Sequence, residues 1–168
     1  NKPLYYPEFT NDLHYECEVV LKITKNGKHV QPEFAKDYFK EITLGIDFTA
    51  RDLQSELKAK SHPWEMAKGF DGSAALGKFV SIDKVDRSSI KFELTKNKDI
   101  VQQGNTSDLL FSFEDIIVFD SKYFKLQIGD LIYTGTPAGV GPVKIGDKLK
   151  AVLHTNDGAE QLLSCEIR

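Results

Sequence analysis

Hydrophobic and polar positions alternate across residues 15–23. Tyr15, Cys17, Val19, Leu21 and Ile23 fall on one side, and Glu16, Glu18, Val20 and Lys22 on the other. A period of two predicts a strand. Val20 among the polar positions implies that this side is not simply wet. Asn26-Gly27 is a turn signal. Pro32 followed by EFAKDYF predicts a short helix with proline in its first turn. Residues 42–48 form a second predicted strand. TARDLQSELKAK then reads as a helix, with Thr49 as its cap, Asp52 three residues on, and His62-Pro63 as its stop.

The remainder turns β-rich. GKFVSI and SIKFEL are strand-like, and IKFELTKNKDIVQQ predicts a hairpin across Lys96-Asn97-Lys98. Ser112 is placed to cap a helix over FEDIIVFDSKYF. DLIYTG, DKLKAVLH and AEQLLSCEI are the last predicted strands. Ile128-Gly129-Asp130 and Ile145-Gly146-Asp147 each lead into a strand, so one turn type is expected twice. Residues 1–12 are polar and proline-interrupted, an irregular lead-in. Many short strands with few helices predict an α+β, mainly β fold rather than a doubly wound parallel sheet. No linker or low-complexity segment interrupts the pattern, so residues 1–168 are expected to form one domain.

Composition narrows the function classes. The formal net charge is -3 over 168 residues, with a pI of about 5.8. A broad electrostatic grip on nucleic acid or anionic lipid is not expected. No apolar run approaches the roughly 20 residues that span a bilayer, and no leader pattern is visible. Cys17 and Cys165 stand alone, without metal-ligand spacing. A reducing, cytoplasmic setting is therefore expected.

Four stretches carry candidate chemistry. On a strand, Glu16 and Glu18 project from the same face. Carboxylates held that close repel, and a hard divalent cation between them removes the repulsion. The same pair also fits a solvated strand face. Asp47 ends an apolar strand just before a helix, where it suits a capping group or a third oxygen ligand from another strand. Arg51 and Gln54, three apart, lie on one side of the following helix, as a carboxylate-binding pair or as surface residues. Lys68, beside Gly69, suits an oxyanion or an ordered water, or simply solvent. The loop YTGTPAGVGP matches neither nucleotide-binding glycine pattern. Its Thr134, Thr136 and glycine amides suit a small anion, or the glycines serve only a tight connection.

Glu16-x-Glu18, GIDFTARDLQ, PWEMAKGFD and DLIYTGTPAGVGP occur in the order and spacing of the fumarylacetoacetate hydrolase family. The chain resembles that family from about Glu16 to its last strands. It looks most like the compact acylpyruvases, oxaloacetate decarboxylases and hydroxyheptadienedioate isomerases. The resemblance implies a mixed β-sandwich roll, usually a homodimer. It also implies Mg²⁺, Mn²⁺ or Ca²⁺ on Glu16, Glu18 and Asp47, an active-site Lys68, and substrate contacts from Arg51, Gln54 and Thr136. The implied substrate is a small 2-oxo or 2,4-dioxo acid. Hydrolysis of a C–C bond in an acylpyruvate-like acid is the first expectation, with isomerisation or decarboxylation of a 2-oxo diacid as the alternative. A non-catalytic metal- or carboxylate-binding module is the competing class. Relatives of this type carry an earlier lid segment with a His/Glu pair, and this sequence starts after it. His14 is expected at the surface.

Overall fold

A computed structural model describes residues 2–168; Asn1 lies outside the described residues. The strands are β1 Leu13–Tyr15, β2 Cys17–Ile23, β3 Phe39–Asp47, β4 Thr49–Ala50, β5 Ala74–Leu76, β6 Val80–Ser81, β7 Lys91–Lys96, β8 Asp99–Asn105, β9 Leu131–Tyr133, β10 Gly141–Pro142, β11 Lys148–Thr155 and β12 Gly158–Glu166. Three α-helices join them: α1 Pro32–Ala35, α2 Arg51–Ala59 and α3 Phe113–Tyr123.

The strands make three sheets. One has the order β5-β3-β2-β9, with β6 added beside β3. A second has the order β12-β11-β7-β8, and a small third has β10-β1-β4. Every named pairing is antiparallel. A continuous apolar core joins them. Leu21, Ile42, Leu44 and Ile46 contribute from the five-stranded sheet, and Leu94, Leu149, Ala151 and Leu153 from the four-stranded one. Each of these eight is fully buried. Phe39 meets Phe113 of α3 edge to face, with ring centroids 5.8 Å apart. The mainly β architecture expected from the pattern is therefore present.

Local chemistry explains most boundaries. Ser112 accepts from the Asp115 N–H while the Asp115 carboxylate accepts from the Ser112 N–H, a complete capping box at α3. Its Phe113, Ile117 and Ser121 are buried at four-residue spacing. Asn97 and Lys98 turn the β7–β8 hairpin, both at positive φ, between the paired Lys96 and Asp99. The two Ile-Gly-Asp turns match atom for atom. Asp130 and Asp147 each accept from the N–H three residues earlier, and Gly129 and Gly146 have φ of 97° and 95°.

Two expectations fail in detail. Thr49 does not cap α2; Ala50 occupies that position. Thr49 is a buried strand residue in register with His14, and Asp52 instead binds Thr10 and Asn11. The predicted strand over 15–23 is broken at Glu16, where β1 leaves one sheet and β2 enters another. The lead-in is irregular, as expected, and is tied down because Leu4 and Tyr6 exchange backbone hydrogen bonds with Glu166 and Arg168.

Candidate metal centre

β2 and β3 run side by side with Cys17 opposite Ile46 and Glu18 opposite Gly45. The Asp47 N–H donates to the Glu16 carbonyl at 2.9 Å. This register brings Asp47 beside the Glu16–Glu18 face. Gly45 is required here, because a Cβ would lie 2.7 Å from both the Tyr133 ring and Val20. Carboxylate oxygens of Glu16, Glu18 and Asp47 all lie within 4.8 Å of one another.

Two cationic side chains reach this group. Lys68, just after the 3₁₀ turn Glu65–Ala67, donates to Glu16 Oε2 at 2.7 Å and to Asp47 Oδ2 at 2.6 Å. Arg51, at the start of α2, donates to Glu16 Oε1 at 2.7 Å and to Gln54 Oε1 at 2.8 Å. Glu18 has neither. Among the described residues its carboxylate accepts only from the Gly135 N–H, at 2.6 Å, and Glu18 is 4% exposed.

Protonation follows this division. Burial pushes Glu16 up, but hydrogen bonds and charge from Lys68 and Arg51 outweigh it and hold the carboxyl below its ordinary value. Burial pushes Asp47 up, only partly offset by Lys68. Glu18 is pushed up to about 7, chiefly by burial and then by the neighbouring charges of Asp47 and Glu16; the Gly135 N–H and Lys68 oppose this. Tyr133, whose hydroxyl donates to the Ala75 carbonyl, is raised by burial and by Asp47 and Glu18.

These residues fit a hard divalent cation. Two oxygens on one ion lie at most two bond lengths apart, about 4.2 Å for Mg²⁺ and about 5 Å for Ca²⁺. The triad's separations, all within 4.8 Å, stay under the larger of these limits. Once Glu18 is ionised, three carboxylates against two cationic side chains leave one negative charge, which a cation binds with favourable electrostatics. All-oxygen ligation suits Mg²⁺, Mn²⁺ or Ca²⁺ rather than a soft metal.

The sequence-derived candidates converge. Arg51, Gln54 and Lys68 all lie within a hydrogen bond or two of the triad. Thr136 sits on the loop that supplies the Gly135 amide, but its hydroxyl donates to the Cys17 carbonyl at 2.8 Å. His14 is not a surface residue. Its side chain is 17% exposed, pairs with Asp12 at 2.9 Å, and buries an unpartnered Nδ1. Gln102 escaped sequence reading. It is 2% exposed and bonds both the Cys17 N–H and Thr136. Only the polarity of an otherwise strand-like hairpin hinted at it.

The model of the fumarylacetoacetate (FAA) hydrolase C-terminal family matches residues 1–165. The mitochondrial oxaloacetate tautomerase of Homo sapiens is 40% identical over 153 residues, covering 90% of this chain and 69% of that protein. The mitochondrial oxaloacetate decarboxylase of Dictyostelium discoideum is 39% identical over 149 residues, covering 88% and 68%. Among solved structures, fumarylpyruvate hydrolase from Pseudomonas aeruginosa in complex with Mn²⁺ and pyruvate superposes with a TM-score of 0.90. It is 32% identical and is covered over 70% of its length by 99% of this chain. Similar too is 2-hydroxyhepta-2,4-diene-1,7-dioate isomerase from Mycobacterium marinum, at TM-score 0.86 and 30% identity, covering 99% of this chain and 63% of that one. Among the described residues, no helix is long and apolar enough to cross a membrane.

Proposed function

The chain belongs to the fumarylacetoacetate hydrolase family, whose members include hydrolases, isomerases and an oxaloacetate tautomerase and decarboxylase; from that premise we propose that it is a divalent-metal-dependent enzyme acting on a 2-oxo acid. Glu16, Glu18 and Asp47 would hold the ion. When bound, the ion supplies positive charge to the substrate's carboxylate and 2-oxo oxygen, which favours electron flow away from the adjacent C–C or C–H bond.

The chain's own residues carry the rest. Arg51 and Gln54, locked together on the first turn of α2, orient an anionic end of the substrate. Lys68 keeps its ammonium at the edge of the triad, where it adds positive charge for the developing enolate and positions a water or a substrate carboxylate. Thr136 contributes its loop, with the backbone N–H as the group able to donate to an anion. The carboxylate triad braced by two cations is the observation that carries this reading.

Enolisation or decarboxylation of oxaloacetate is the outcome we place first, because the relatives at 39–40% identity are named for those reactions. Hydrolysis of an acylpyruvate, the outcome ranked first from sequence, is the second reading; the likeness to fumarylpyruvate hydrolase with Mn²⁺ and pyruvate favours it. A homodimer belongs to the same proposal. Phe119 and Tyr123 of α3 are exposed with rings 5.3 Å apart, and Leu110, Phe111 and Phe124 beside the helix are exposed too. We place the protein in a reducing compartment, the cytoplasm in the first instance, because Cys17 and Cys165 are buried free thiols.

The test measures oxaloacetate enol–keto conversion, carbon dioxide release and acylpyruvate cleavage with Mg²⁺ or Mn²⁺, then with chelator. Metal-dependent turnover of one substrate supports the proposal. Equal turnover in chelator, or oxalate binding with no turnover of any substrate, overturns it.

A further inference from the structure

The Cys17 peptide lies between two of the three carboxylates, yet on one edge it has no strand partner. β9 pairs with β2 only from Val20 to Lys22. Beyond that point side chains replace the missing strand. Gln102, reaching in from β8 in the other large sheet, accepts the Cys17 N–H on Oε1 at 3.0 Å. Its Nε2 donates to Thr136 Oγ1 at 2.9 Å and to the Pro137 carbonyl at 3.1 Å.

This amide has one workable orientation. The Cys17 N–H can only donate, and the Pro137 carbonyl can only accept. The Thr136 hydroxyl is fixed in turn. It accepts from Gln102, so its single proton goes to the Cys17 carbonyl and cannot serve a substrate. The loop is also pressed against β8, because a Cβ on Gly139 would collide with the Val101 carbonyl. One residue away from Thr136, the Gly135 N–H makes the only hydrogen bond to the Glu18 carboxylate among the described residues.

We propose that Gln102 is a positioning residue for the metal centre: one buried amide ties the Glu16–Cys17–Glu18 backbone to the glycine-rich loop, and so sets where Glu18 and the loop's anion-facing amides stand. The inference rests on the metal reading above. It assigns Gln102 no contact with ion or substrate. Removing the amide leaves the Cys17 N–H without a buried partner and frees the Thr136 hydroxyl to rotate. The loop then loses its register on β2, and with it the Gly135 bond to Glu18.

The experiment titrates Mn²⁺ into metal-stripped protein by calorimetry, then pyruvate into the Mn²⁺-loaded protein. Q102M keeps side-chain length and removes all three hydrogen bonds. Its Mn²⁺ dissociation constant should rise about 10- to 100-fold, as for groups that orient metal ligands, and pyruvate should bind more weakly as well. Q103L is the control. Gln103 is the next residue on β8 and bonds half-buried Glu93, away from the centre, instead, so Q103L should match wild type in both titrations. Should Q102M fail to fold, T136V reads the same brace from its other end, and its Mn²⁺ affinity should also fall. Wild-type Mn²⁺ affinity in folded Q102M, or in T136V if that variant must be used, overturns the proposal. Absence of Mn²⁺ binding to the wild type overturns the metal reading instead.

Discussion

Substituting Glu18 by Gln should stabilise the metal-free protein at alkaline pH. Glu18 is buried, receives one backbone N–H and faces two other carboxylates. Its carboxyl titrates near 7 in the folded state, against an ordinary 4.5. Between those values the folded protein holds a proton that the unfolded chain has released. Stability from this group is therefore fully present below about 4.5 and is lost as pH rises through about 7. At about 1.4 kcal/mol per pH unit, the full loss is about 3.5 kcal/mol, of which the window from pH 5 upward captures most. The neighbours do not all share this sign: Asp47 is also raised, but Glu16 is held low. The difference between wild type and E18Q isolates Glu18, and it is read by urea denaturation in chelator from pH 5 to 8.5. E18Q should gain on wild type as pH rises, by about 2–3 kcal/mol at the alkaline end. Mn²⁺ at 100 times its dissociation constant should return about 2.7 kcal/mol to wild type at pH 8, and much less to E18Q. Parallel pH profiles of the two proteins in chelator would refute the reasoning.

Two further outcomes follow from named contacts. K68M removes the ammonium that joins Glu16 to Asp47; it should abolish turnover while tightening Mn²⁺ binding, because less positive charge then competes for the carboxylates. Calorimetry on the stripped protein checks the affinity and a substrate assay checks the rate. S112A breaks the capping box at α3 and should cost about 1 kcal/mol in urea melts, with metal affinity unchanged because no part of the centre lies on that helix.

The site was legible wherever short-range periodicity controls geometry. Glu16 and Glu18 face one way because β2 is a strand, and Val20, fully buried beside them, had already marked that face as enclosed. The repeated Ile-Gly-Asp turns and the Ser112 cap are local too, each complete within four residues. What was misread depends on distant pairing. Thr49 has the chemistry of a helix cap, but β1 claims it as a strand partner across 35 residues of sequence. His14 looked like a surface residue until Asp12 and the small β10-β1-β4 sheet enclosed it. Gln102 and Cys17 are 85 residues apart, and no local signal encodes that bond.

The asymmetry of the centre has a physical consequence. Glu16 is matched by two cations and stays ionised without a metal. Glu18 shares the same strand face but receives no hydrogen bond from either cation, and burial pushes it up to about 7, so it retains a proton near neutrality. Metal binding must release that proton, so affinity should rise with pH up to about 7 and then level off. Lys68 bridges the other two carboxylates, Glu16 and Asp47, and is partly open to solvent. Glu16, Glu18 and Asp47 would hold the ion, and Arg51 and Lys68, already bonded to Glu16, form a preformed cationic rim beside that place. Under the proposed function, that rim would orient the anionic end of a 2-oxo acid before any bond to the reacting carbon weakens.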